Sequence, residues 1–222
     1  PKGDISRRAA GVIGHGLLGL GLAFATLSGR FFGANDPTSG RVAMVLIGAV
    51  WLYNGWAKRT PLGPMVMGAC RGLNVLLGAS VAGEAGIASA WQPAGACALY
   101  IAGLTWFARD DSGTSRRWQL VAAAGVVAAA LGWTAWSLGS TDRLVPLAAV
   151  VGLGAFVGQR ISSALRDPGP LAVREAVGRL LLGYIPFDAA WAAGLAGPSG
   201  WGILLIMPVM IGLRRLLAAR LT

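Results

Sequence analysis

Eight apolar stretches occupy nearly the whole chain, at roughly 9–28, 42–58, 63–82, 93–109, 118–138, 144–165, 171–195 and 200–219. At about 1.5 Å of rise per residue, helices of these lengths cross a hydrocarbon layer of about 30 Å. Lipid is therefore the expected solvent, and each polar residue inside a stretch calls for a partner or a purpose. A membrane β-barrel would instead show alternating segments of about 10 residues. Charged residues make up 13% of the chain, about half the share of a soluble domain. The connections are too short for a separate soluble domain. The sequence predicts an all-α polytopic transmembrane helix bundle of about eight spans, forming a single domain over 1–222. The 34 glycines suit close helix–helix approach in lipid.

Net charge is +10, which in a soluble protein would raise the question of nucleic acid. Its distribution answers otherwise. With the N-terminus placed inside, the inner loops and helix ends hold fifteen cations: Lys2, Arg7, Arg8, Lys58, Arg59, Arg109, Arg116, Arg117, Arg160, Arg166, Arg174, Arg179, Arg214, Arg215 and Arg220. The outer loops hold three, Arg30, Arg41 and Arg143. This is the positive-inside pattern of a multi-pass membrane protein, and it predicts both termini on the cytoplasmic side. It accounts for the charge without nucleic acid. Cys70 and Cys97 lie in apolar segments and read as small packing residues rather than a disulfide framework.

The polar residues within and beside the stretches divide into few groups. Segment 2 ends on Tyr53, Asn54, Lys58 and Arg59, with Asn54 and Lys58 four apart on one expected helix face. Segment 4 runs into Arg109-Asp110-Asp111-Ser112-Gly113-Thr114-Ser115-Arg116-Arg117. Paired carboxylates can share Mg²⁺ with substrate phosphates, although the same residues also make an ordinary solvated turn. Arg71 falls about 12 Å into segment 3 by helical rise, with Met67 and Asn74 along the same stripe. A cation there faces a cavity or a partner, or snorkels to the surface. Asp188 is deep in segment 7, four residues after Tyr184, and reads either as a structural partner or as a substrate contact. Glu175 and Arg179 are spaced for an i,i+4 pair. His15 is expected to be buried and hydrogen-bonded. Most tryptophans, among them Trp91, Trp118 and Trp201, are expected in interfacial belts, while Trp51, Trp56 and Trp106 lie near the polar sites.

The run Tyr53-Asn54-Gly55-Trp56-Ala57-Lys58-Arg59-Thr60-Pro61-Leu62-Gly63-Pro64, leading into Met67-Gly68-Ala69-Cys70-Arg71-Gly72-Leu73-Asn74, resembles the middle of the UbiA family of intramembrane prenyltransferases. The opening Pro1-Lys2-Gly3-Asp4-Ile5-Ser6 resembles the loop that follows that family's first Asp-rich motif, and Asp110-Asp111 falls where its second belongs. The Cys70–Asn74 wording is similar to a bacterial UbiA-like branch, some members of which are encoded in ebo-type clusters. The resemblance is specific over 1–8 and 53–117. It implies two further helices and a first Asp-rich motif before Pro1, so that the chain reads either as an N-terminally incomplete fragment or as a truncated homologue. The adjacent aspartates depart from the usual Asp-x-x-x-Asp spacing.

The resemblance implies a Mg²⁺-dependent enzyme that moves a prenyl group from a polyprenyl diphosphate to an acceptor of unknown identity. It implies metal ligation by Asp110 and Asp111, and catalytic roles for Lys58, Tyr53 and Arg71. Substrate contacts would come from Asn54, Arg59, Asn74, Arg109, Arg116 and Asp188. A second reading is a catalytically inactive relative that binds an isoprenoid-linked metabolite or helps export it. A third is an unrelated transporter built on an intramembrane Arg71–Asp188 pair.

Overall fold

The computed structural model describes residues 6–32, 36–109, 116–139, 144–209 and Gly212. Among these residues there are seven α-helices and no strand. The helices are α1 (Arg7–Phe31), α2 (Thr38–Gly55), α3 (Gly63–Ala79), α4 (Gly83–Phe107), α5 (Arg117–Gly139), α6 (Leu144–Arg166) and α7 (Pro170–Ala196). They match the first seven apolar stretches in order. Five helical stretches are long and apolar enough to cross a membrane: Arg8–Phe31, Gly63–Phe107, Arg117–Gly139, Leu144–Arg166 and Pro170–Val209. Large apolar side chains such as Val12, Phe24, Trp136 and Val151 face outward, as they do in a protein solvated by lipid. The described residues form an all-helical bundle compatible with an integral membrane protein.

Local chemistry sets the boundaries. Ser6 caps α1, its Oγ accepting from the Ala9 N–H at 3.1 Å. Asp36 does the same work before α2, its Oδ1 accepting from the Thr38 N–H at 2.9 Å and hydroxyl at 2.6 Å. Those two bonds hold its carboxyl below the usual aspartate range. Gly83, at φ 68°, turns the chain from α3 into α4 through a short 3-10 helix, Ser80–Ala82. Pro170 opens α7, where its missing N–H costs nothing.

Consecutive helices pack antiparallel. The closest approach is between α3 and α4, where a Cβ on Gly68 would run into the Ala98 carbonyl and one on Gly72 would meet the Ala94 carbonyl at 2.9 Å. Small residues thus bring two backbones together, the packing mode of helices in lipid. The core belongs to α4–α7. Tyr100, Phe107, Leu120, Val127, Val157, Leu180 and Phe187 are fully buried there, with Val75 of α3 packed against the edge of the cluster.

Five expectations need correction. Segment 4 begins at Gly83 rather than 93, because Pro93 sits inside the helix; neighbouring helices make an internal proline tolerable in a membrane bundle. Trp91 is therefore within α4 rather than at its end. His15 is exposed, with its Nδ1 2.8 Å from the Gly11 carbonyl oxygen and its ring 6.0 Å from that of Trp51. Glu175 pairs across helices with Arg160 and not with Arg179, which donates to the Phe156 carbonyl at 3.1 Å. The eighth stretch begins as a 3-10 helix, Gly197–Leu205, folded back on the end of α7 by Gly197 at φ 74°; residues 210–211 and 213–222 lie outside those described.

Candidate functional site

The bundle brings the polar residues together in two places. The first is an end. The antiparallel α3–α4 hairpin puts the start of α3 beside the finish of α4. Lys58 and Arg59, in the 3-10 helix Ala57–Arg59, therefore share an end with Arg109 and with Arg116 before α5. All four are exposed. Arg8, Arg117 and Arg166 belong to the same end by the up-and-down order of the helices, whereas Arg30 and Arg41 belong to the opposite one. The charge ladder read from the sequence thus becomes a basic cap on one face of the bundle. Asp110 and Asp111 lie outside the described residues.

Two details at this end depart from expectation. Asn54 and Lys58 do not share a helix face, because α2 stops at Gly55 and the chain tightens to reach α3. The Asn54 amide turns back to donate to the Val50 carbonyl at 3.0 Å. Tyr53 is half-buried on α2, while Trp51 and Trp56 point outward. None of the four lines the groove that holds Arg71.

The second place lies midway along α3, α4 and α7. Arg71 donates from Nε to the Tyr184 hydroxyl at 2.9 Å, and its guanidinium lies 4.8 Å from that ring's centre. Its Nη2 is 3.5 Å from Asp188 Oδ2. The other carboxylate oxygen accepts from Cys97 Sγ at 3.3 Å. Beneath them Tyr100 donates to the Leu180 carbonyl at 2.9 Å and packs at 4.8 Å between ring centres against Phe187. Each charged group gains a counter-charge and a hydrogen bond, which is how ionisable residues persist in a low-dielectric bundle.

The Arg71 side chain stays 42% exposed. It opens on a groove of about 390 Å³ whose polar lining is Arg71, Asn74, Thr105 and Tyr184, with Met67, Ile101 and Leu104 supplying apolar wall. Asn74 also lines a second, apolar crevice of about 220 Å³ formed with α1 and α2 residues such as Leu17, Leu22, Leu46 and Val50. The stripe Met67–Arg71–Asn74 expected from helical spacing therefore lines one groove, and Asn74 is common to the groove and the crevice. An apolar cleft with a few convergent polar groups is the usual form of a small-molecule site.

Arg71, Asn74 and Asp188 are thus brought together, while Lys58, Arg59, Arg109 and Arg116 stand apart on the basic cap. Arg71 lies about 12 Å from the start of α3 by helical rise. Tyr184 and Cys97 were missed as site residues. The signal for Tyr184 was available, since it stands one helical turn before Asp188 on the same face. Cys97 carried no such signal, because its role depends on α4 crossing α7. Among the described residues no cluster of three or more His, Cys, Asp or Glu could hold a metal ion. Asp188, beside the groove, is engaged by Arg71 and Cys97.

No protein-family model matches the chain. Neither a curated protein nor a solved structure matches it.

Proposed function

We propose that this chain is a UbiA-like intramembrane prenyltransferase whose groove between α3, α4 and α7 receives a polyprenyl diphosphate. The observation that carries the reading is Arg71, a cation held midway along the bundle and still open to an apolar groove. A ligand with an anionic head and a long hydrocarbon tail complements that arrangement. The head meets Arg71 and the Tyr184 hydroxyl, and the tail passes Asn74 into the crevice toward α1 and α2.

The chemistry follows from charge. Heterolysis of the allylic C–O bond sends the electron pair to diphosphate and leaves a cation on carbon. The acceptor supplies the electron pair for the new bond and sheds a proton. Arg71 stabilises the departing diphosphate, and more strongly in a low-dielectric groove than in water. Asp188 keeps the guanidinium oriented between turnovers. Met67 offers a polarisable wall beside the carbocation. Lys58, Arg59, Arg109 and Arg116 form the basic approach along which a diphosphate is drawn. On this reading the cap faces the cytoplasm of a bacterial inner membrane, both termini share that side, and the bundle completes eight spans. By the family resemblance Asp110 and Asp111 would hold Mg²⁺, which would offset the charge of the departing diphosphate.

Purified protein in nanodiscs with a radiolabelled prenyl diphosphate tests the reading. Retention of label by wild type and its loss in Arg71→Gln support the binding site. Formation of a prenylated product, lost in Asp110→Ala, supports transfer. Binding without product in any lipid extract leaves the inactive, isoprenoid-binding reading. Equal binding by wild type and Arg71→Gln sinks both.

A second reading rests on the Arg71–Asp188 pair itself, since a cation–carboxylate pair between helices midway through a bundle is a recurring feature of ion-coupled carriers. It predicts solute flux in proteoliposomes driven by an ion gradient and abolished in Asp188→Asn.

A further inference from the structure

We infer that the α6–α7 groove at the basic end is a binding site for the phosphate headgroup of an anionic membrane lipid. The groove holds about 230 Å³ and gathers three guanidinium groups, Arg160 from α6 with Arg174 and Arg179 from α7, around the single carboxylate of Glu175. Glu175 is taken up by Arg160. Among the described residues, no carboxylate pairs with Arg174 or Arg179. The local charge is therefore two units positive in a concave site.

Arg179 is held in place by neutral groups. It donates to the Phe156 carbonyl at 3.1 Å and to Gln159 Oε1 at 3.3 Å, and its guanidinium lies 4.5 Å from the centre of the Phe156 ring. These contacts fix the fork without neutralising it. A fixed fork loses less entropy on gripping a phosphate, and guanidinium geometry matches phosphate oxygens.

The walls specify an amphiphile. By helical rise Arg174 sits about 6 Å and Arg179 about 14 Å into α7, the depth over which a bilayer passes from headgroup to hydrocarbon. Gly178 lies between them, and a side chain there would meet nothing within 4 Å. Leu182 continues the groove one turn deeper, and Leu181 beside it is exposed. A phosphate at the arginines would lead its acyl chains past Gly178 onto this apolar face. A free phosphate would leave that half of the groove unused. Basic pockets between transmembrane helices are known seats for anionic headgroups.

Native mass spectrometry of the detergent-solubilised protein, titrated with phosphatidylglycerol or phosphatidylcholine, tests the site. Wild type retains phosphatidylglycerol in preference. The double variant Arg174→Gln/Arg179→Gln loses two cations, and its affinity for phosphatidylglycerol falls about 30-fold. Glu175→Gln removes the internal carboxylate and raises retention, a gain that misfolding does not mimic. Arg8→Gln/Arg117→Gln removes the same charge elsewhere on the cap and leaves the preference intact. Equal retention of the two lipids by wild type, an unchanged preference in the α7 double variant, or displacement of phosphatidylglycerol by millimolar inorganic phosphate overturns the assignment.

Discussion

The α4–α7 half and the α1–α2 edge are built from similarly apolar sequence, yet they pack in opposite ways. In the first, bulky side chains such as Tyr100, Phe187 and Leu180 are wholly buried. In the second, Phe24 and Met44 face outward, and burial concentrates at the start of α2, where Ser39 meets Ser80 and Gly40 packs on Thr26. Helix α3 is the seam. One side of it presses glycines onto α4, and the other leaves a crevice toward α1 and α2. Hydrophobicity alone therefore does not decide burial in lipid, because the solvent is as apolar as the core. Shape and polar partners decide it, and the open space collects where the two packing regimes meet.

The largest expected effect tests that contrast directly. Phe187→Ala empties a fully enclosed site and costs about 3–5 kcal/mol, whereas Phe24→Ala on the outer face of α1 changes stability by no more than about 0.5 kcal/mol. Thermal unfolding in one detergent reads both. Comparable losses would abolish the distinction between the two halves.

Next comes the polar seam. Asp188→Leu leaves Arg71 without a counter-charge and costs about 2–3 kcal/mol on membrane-insertion scales. The double variant Arg71→Leu/Asp188→Leu recovers most of that loss, since an apolar pair needs no compensation. A double-mutant cycle measures the coupling, and strict additivity would show that the two residues do not act as a pair.

A smaller effect sharpens the description of the packed half. The Trp191 indole donates to Thr134 Oγ1 at 3.1 Å, joining α7 to α5 within the core. Trp191→Phe forfeits that bond and costs about 1 kcal/mol, visible as a modest fall in unfolding temperature.

The smallest effect is at the α1–α2 edge and depends on pH. Asp36 titrates below its ordinary 3.8 because Thr38 hydrogen-bonds its carboxylate. Its contribution is complete above pH 3.8 and is lost as pH falls through the lower folded-state value. The stability advantage of wild type over Asp36→Asn should therefore be constant near neutrality and shrink only in strong acid. A difference that grows on acidification would contradict the assignment.

Helix identity was legible because a lipid-crossing segment must satisfy its backbone internally, which leaves long apolar runs in the sequence. Boundaries were less legible where a residue's usual meaning was overridden. Pro93 reads as a helix start but is absorbed within α4, and the Asn54–Lys58 spacing reads as one face but is broken at Gly55. Within the site, Arg71 and Asp188 announced themselves as charges in hydrocarbon. The cross-helix partners did not, because Cys97 and Arg160 gain their roles from neighbours distant in the chain.

The sequence by itself determined that this chain is a helical bundle solvated by lipid, with its cations gathered on alternate loops, because hydropathy and charge are local properties paid for residue by residue. Only the tertiary structure decided that Arg71, Tyr184, Asp188 and Cys97 form one cluster, and that Arg174 and Arg179 keep their charge while Glu175 is spent on Arg160. Which charge meets which is fixed by how helices cross, and crossing depends on glycine contacts and side-chain shapes that no single segment contains.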